Sequence, residues 1–244
     1  MDAVKETVKN AAHNASAMAK AAHPYYPLGV EIVDYAANEW SVPVLLGVFF
    51  GGLAVLFYAT YLVVKRVHPQ MRGSEMVTIM WFVLSGTIHL FFEGYYSLNQ
   101  AHMGGLQTLF GQLWKEYAFS DSRYLTQNAF VLCMETVTAF VWGPLCFVVA
   151  AMITVEHPLR HPLQSLVSIG QIYGDVLYYA TSMFDHYMLG TTYSRPEAYY
   201  FWGYYFLMNF FWIVFPGILL YNSFSAIADA FSRLKKIDGN KKSS

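Results

Sequence analysis

Cysteine is almost absent from this sequence: Cys133 and Cys146 are its two, both inside one apolar stretch. Two thiols cannot supply a disulfide framework or a zinc cluster, and both are expected as small core residues. Charge is scarce as well. Asp, Glu, Lys and Arg make up 13% of the 244 residues, where a soluble chain carries about 25%. The net charge of −1 comes without a basic face or stripe, which excludes nucleic acid as a partner. The first residues hold no apolar run of a cleavable leader, so the first spanning segment is expected to direct insertion itself. No phosphate-binding glycine loop, metal-ligand cluster or nucleophile elbow occurs, so the chemistry is expected to need no cofactor and no metal.

What the chain has instead is apolar and aromatic mass. Hydrophobic residues reach 56% and aromatics 18%, with 19 Tyr, 19 Phe and 6 Trp. Aromatics gather at bilayer interfaces and line apolar ligand sites. From Val42 to Val64 no charged residue occurs over 23 positions, enough to cross about 30 Å of hydrocarbon. Similar segments are expected at about 76–98, 128–155, 163–184 and 199–224. The fold class predicted is therefore all-α, a polytopic bundle of five transmembrane helices around an intramembrane ligand cavity. Pro144 predicts a kink in the third segment.

Three regions complete the organisation. Residues 1–41 are expected to form a partly disordered tail, 42–224 the membrane domain and 225–244 a basic tail. The stretch 99–127 reads as a long structured connection. Nine Lys and Arg fall on the side of the C-terminus and six on the other. That bias places the C-terminus in the cytosol and the N-terminus across the membrane. On this reading Lys241-Lys242-Ser243-Ser244 matches a retrieval signal of the endoplasmic reticulum, with a plain solvated tail as the alternative. Asn14-Ala15-Ser16 is a glycosylation sequon on the lumenal side.

The ionisable residues inside apolar segments carry most information, because charge in hydrocarbon is costly and marks sites. His89 and Glu93 are i and i+4 in the second segment. Glu135 and Thr138 are i and i+3 in the third, Gln171 and Asp175 are i and i+4 in the fourth, and Asn209 and Trp212 are i and i+3 in the fifth. Each pair shares a helix face. At 1.5 Å per residue, all four lie roughly 8–15 Å below the lumenal helix ends, deep enough to share one cavity. Mutual bracing between helices is the alternative, above all for Gln171 and Asp175, and Asp175 is expected to orient a neighbour or to bond Tyr178. Two carboxyls and an imidazole in a low-dielectric pocket suit proton donation and abstraction. By residue chemistry alone, a proton-transfer enzyme, a proton pathway and a ligand-binding bundle all remain open.

Several strings narrow this. His23-Pro24-Tyr25-Tyr26-Pro27, Ile88-His89-Leu90-Phe91-Phe92-Glu93-Gly94, Gln112-Leu113-Trp114-Lys115-Glu116-Tyr117 and Asp121-Ser122-Arg123-Tyr124 are followed by Cys133-Met134-Glu135-Thr136-Val137-Thr138 and Trp142-Gly143-Pro144-Leu145. Ser168-Ile169-Gly170-Gln171-Ile172-Tyr173-Gly174-Asp175 and Met208-Asn209-Phe210-Phe211-Trp212 complete the set. In this order, the chain resembles the emopamil-binding-protein family over about 23–217. The Ala-rich residues before His23 depart from the family pattern. The resemblance implies a dimeric membrane enzyme of the endoplasmic reticulum that moves a sterol double bond from C8–C9 to C7–C8. A proton is added at C9, a cation forms at C8, and a proton leaves C7. By the same resemblance His89, Glu93, Glu135 and Trp212 are catalytic and Thr138 and Asn209 are the polar residues beside them; Tyr124, Asp175 and Gln171 are expected to contact substrate as well. Cationic amphiphilic amines are the inhibitors implied, since they mimic the intermediate. A non-catalytic sterol- and amine-binding protein is the rival. A proton-coupled transporter would need polar residues continuing into the cytosolic half, and none is seen.

Overall fold

The structure, a computed structural model, describes residues 23–242. The sequon at Asn14 and the Ala-rich stretch lie outside the described residues. Helix α1 spans Val42–Val67, opened by Ser41 and Pro43 and closed by Lys65 and Arg66. Proline suits the first turn and basic residues suit the last, where the orphan carbonyls lie. Of its residues only Leu45 and Val64 are buried. A helix that turns Val44, Val48 and Val55 outward is built for lipid.

Helix α2 runs over Gly73–Gly105, α3 over Leu109–Tyr117, α4 over Ala129–Thr154 and α5 over Arg160–Leu189. Helix α6 opens on Tyr200–Leu207 and continues over Met208–Lys242. No strand occurs among the described residues. α1, α2, α4 and α6 are long and apolar enough to cross a membrane. α5, expected as the fifth span, is not among these four, and the reason is its inner face. That face buries Gln164, Ser165, Ser168, Gln171, Asp175 and Ser182, while Leu166, Ile169, Val176 and Phe184 point outward.

One apolar core joins Ile79 and Phe82 of α2, Cys146, Val149 and Ile153 of α4 and Val167 of α5. Cys146 is a core residue as expected; Cys133 lies exposed on the outer side of α4, which corrects the reading of both as core. At Pro144 the helix takes a wider turn over Thr138–Trp142, closed by Gly143 N–H on Thr138 O. A wide turn removes the demand on the missing proline N–H. Gly143 also lets the turn approach α2: a Cβ there would stand 2.9 Å from the Leu90 nitrogen. Beyond Phe224, where the last segment was expected to end, α6 continues as helix to Lys242.

Residues 23–41 pack as a cover over one end of the bundle, so the expected loose tail does not reach into them. Tyr25 is buried, and its hydroxyl donates to Lys115 O at 2.9 Å. Trp40 N–H donates to Gln112 Oε1 at 2.8 Å, and Gln112 O accepts from Asn38. The Lys115 ammonium donates to Ala36 O at 2.7 Å and to Gln107 Oε1 at 3.3 Å. Burial pushes this lysine down to about 8. The unfolded chain then binds more protons than the folded one between pH 8 and the ordinary lysine range, so stability rises across that window. Melting in detergent should rise between pH 8 and 10 in the wild type, and a Lys115→Met variant should lack that rise. A rise of equal size in both would refute the assignment.

Candidate active site

Beneath this cover lies a cavity of about 560 Å³ bounded by all six helices. Phe49 and Phe50 of α1 and Phe211 and Phe215 of α6 supply much of its apolar wall, and all nine residues singled out from sequence line it.

The centre is His89. It sits in a second wide turn, Ile88–Glu93, closed by Gly94 N–H on His89 O. Its Nδ1 lies 2.9 Å from both carboxyl oxygens of Glu93. Its Nε2 accepts from the Gln171 side-chain amide at 3.0 Å and from Trp212 Nε1 at 3.4 Å. A nitrogen that accepts two N–H groups carries no proton of its own. The imidazole is therefore the neutral Nδ1–H tautomer, donating to Glu93. Trp212 is wedged between His89 and Trp81, with ring centroids 6.2 and 5.4 Å away.

Glu135 reaches the cavity from α4 and accepts from the Tyr124 hydroxyl at 2.6 Å. Tyr124 lies in the connection, outside the helices that cross the bundle. Burial, reinforced by Glu135, pushes its hydroxyl well above the usual phenol range, so it stays a donor. The Asp121–Arg123 pair fixes the turn that carries it. Arg123 Nη2 lies 2.6 Å from Asp121 Oδ2, and both side chains are buried. Arg123 also donates to Thr181 Oγ1 at 2.9 Å and to Tyr178 O at 3.3 Å, tying the turn to α5.

The other residues are less closely tied to this centre. Thr138 donates its hydroxyl to Met134 O in its own helix. Asn209 donates to the Tyr117 hydroxyl at 2.8 Å and to Tyr205 O at 2.6 Å. Asp175 does not bond Tyr178: Asp175 Oδ2 and the Tyr178 hydroxyl are both buried and make no well-formed hydrogen bond. Sequence reasoning missed Tyr117 and Trp81. The spacing of Trp114 and Tyr117, i and i+3 in the connection, was the available signal for Tyr117. Trp81, a lone aromatic in an apolar run, gave none. No group of His, Cys, Asp and Glu among the described residues could hold a metal ion.

A family model described as EBP, EXPERA, the expanded EBP superfamily, matches residues 109–223. A 3-beta-hydroxysteroid-Delta(8),Delta(7)-isomerase of Rattus norvegicus is 38% identical over 217 residues, covering 87% of this chain and 91% of that protein. A protein of the same name from Cavia porcellus is 36% identical over 202 residues, 82% of this chain and 87% of that one. A protoglabretal synthase of Citrus sinensis is 29% identical over 168 residues, 68% of this chain and 77% of that protein. With 87% of its length aligned to a relative that is 38% identical, the chain belongs to the EXPERA family, the expanded EBP superfamily.

Proposed function

We propose that this protein is a membrane-embedded sterol Δ8–Δ7 isomerase whose reacting double bond lies against His89, Glu93, Glu135 and Trp212. The observation that carries the reading is the Glu93–His89–Trp212 chain beside Glu135, in an aromatic cavity of about 560 Å³. Pockets for ligands of drug size run from about 300 to 1,000 Å³.

In this reading Glu93 gives its proton to C9, the C8–C9 electron pair forms the new C–H bond, and C8 becomes cationic. The C7–H electrons then form the C7–C8 double bond, and that proton returns to Glu93. The His89 Nδ1–H bond steadies the carboxylate while its proton is away. The Trp212 face stabilises the cation by ~2 kcal/mol when water is excluded, and Glu135 balances its charge. Thr138 and Asn209 shape the polar side of the cavity. No step calls for a cofactor. Cationic amphiphilic amines compete for the cavity because they present the charge of the intermediate.

α5 is the fifth span in this proposal, since the face it turns outward is apolar and its polar face is spent inward. The Lys and Arg bias supports a cytosolic C-terminus and a lumenal N-terminus, and the resemblance supports a dimer in the endoplasmic reticulum. Incubating purified protein with a Δ8-sterol and following the Δ7 product tests the activity. A wild-type protein that binds the Δ8-sterol and leaves it unchanged would sink it in favour of a binding protein.

A further inference from the structure

The buried face of α5 has a use that bracing does not supply. Gln171, Asp175, Tyr178, Ser182 and His186 follow one another at spacings of four, three, four and four, which is one continuous stripe along the helix. Gln171 stands at its inner end, on His89. Asp175 and Tyr178 come next and line the cavity, and Ser182 and His186 lie beyond it. The first four are buried and His186 is exposed, so the stripe runs from the imidazole to the surface.

At its outer end lies a second, smaller pocket of about 120 Å³, lined by Ser182, His186, Tyr205 and Ser194 among others. That is room for several waters. Tyr178 and Tyr205 stand between the two spaces, with ring centroids 5.4 Å apart. Tyr178 faces the large cavity and Tyr205 the small one. The hydroxyls of both, and Asp175 Oδ2, are buried and make no well-formed hydrogen bond, with Tyr117 beside the Tyr178 hydroxyl and Ser182 beside that of Tyr205. Groups that serve as glue between helices have partners. Buried hydroxyls and carboxyls without them are the sites that water joins into chains, and ionisable stripes inside membrane helices mark proton relays. Arg123 lies 4.9 Å over the Tyr178 ring beside the stripe and is paired with Asp121. It therefore presents little net charge to a passing proton.

We propose that Asp175, Tyr178, Tyr205 and Ser182 form a proton-exchange path between the cavity and the water at His186. The proposal rests on the isomerase reading. Isomerisation is neutral in protons: one goes to C9 and one returns from C7. The path therefore supplies no net proton. It lets the catalytic carboxyl exchange its proton with solvent between turnovers, so that the proton taken from C7 need not be the one given to the next C9.

The test is turnover of an unlabelled Δ8-sterol in D₂O by the full chain, reading deuterium at C9 of the Δ7 product. The wild type should place solvent deuterium at C9 in most of the product. Ser182→Ala and Tyr205→Phe each delete one hydroxyl outside the cavity that holds the sterol. Both should continue to make Δ7-sterol while losing most of that deuterium, with protium recycled from C7 in its place. Product from either variant with the wild-type deuterium content, or a wild type that places protium at C9, overturns the path. A wild type that forms no Δ7-sterol overturns the isomerase reading instead.

Discussion

Glu93→Gln should lower the rate of Δ7-sterol formation by about 10²–10⁴-fold, the range that removal of a general acid or base produces, while leaving the protein folded. The substitution keeps the shape and volume of the side chain. Its amide oxygen can still accept the His89 Nδ1–H bond that now spans 2.9 Å. On the proposed mechanism it removes the proton given to C9 and the site that receives the one from C7. The loss should appear in kcat more than in KM, because a sterol that is bound but not reacting makes little use of a carboxyl's proton. Glu135→Gln should fall as well, since its amide can still pair with Tyr124 but no longer balances a cation. Trp212→Leu should lose less, about 30-fold for ~2 kcal/mol of cation–π contact, together with its donor to His89. Steady-state kinetics on the three variants orders these contributions. Unchanged turnover by Glu93→Gln would remove it from the proton-transfer role, and with it the chemistry assigned to the cavity.

Much of the candidate site could be read in advance because a membrane penalises charge. His89, Glu93, Glu135 and Asp175 stand out of apolar segments, and their helical spacing gave their faces and depths without any structure. The wide turns at Ile88–Glu93 and Thr138–Trp142 were not legible. Residues i and i+4 still share a face when a turn widens, so the pattern that reveals His89 and Glu93 is blind to it. That α5 stands apart from the other long helices in hydropathy has a related cause. Its polar residues were weighed as site markers one pair at a time, while their sum, a whole polar face, lowers its hydropathy below that of the other long helices. The cover made by residues 23–41 was missed because Tyr25, Trp40 and Asn38 bond to Gln112 and Lys115, far along the chain. Such contacts leave no local periodicity. Cys133 was misplaced because outer and inner faces of a span are equally apolar, and composition does not separate lipid from core.

Arg123→Met should destabilise the protein by ~3–5 kcal/mol, the cost of breaking a buried ion pair by removing one partner. In melting temperature this is on the order of 10 °C for a chain of this size. Arg123 and Asp121 are 1% and 0% exposed in their side chains, so an Asp121 left alone has no water to turn to. The guanidinium also spends donors on Thr181 Oγ1 and Tyr178 O, which hold the turn against α5. Losing it therefore frees the turn that aims Tyr124 at Glu135, and catalysis should fall along with stability. The double variant Asp121→Asn with Arg123→Met separates the two effects. It removes the stranded charge and should recover part of the stability, yet it restores neither the tie to α5 nor the placement of Tyr124. Melting and turnover of the two variants, measured together in detergent, give the result. If the double variant recovers turnover in full, the pair serves folding alone. If it recovers stability and stays slow, the ion pair is the part of the connection that positions Tyr124 against Glu135 for the reaction.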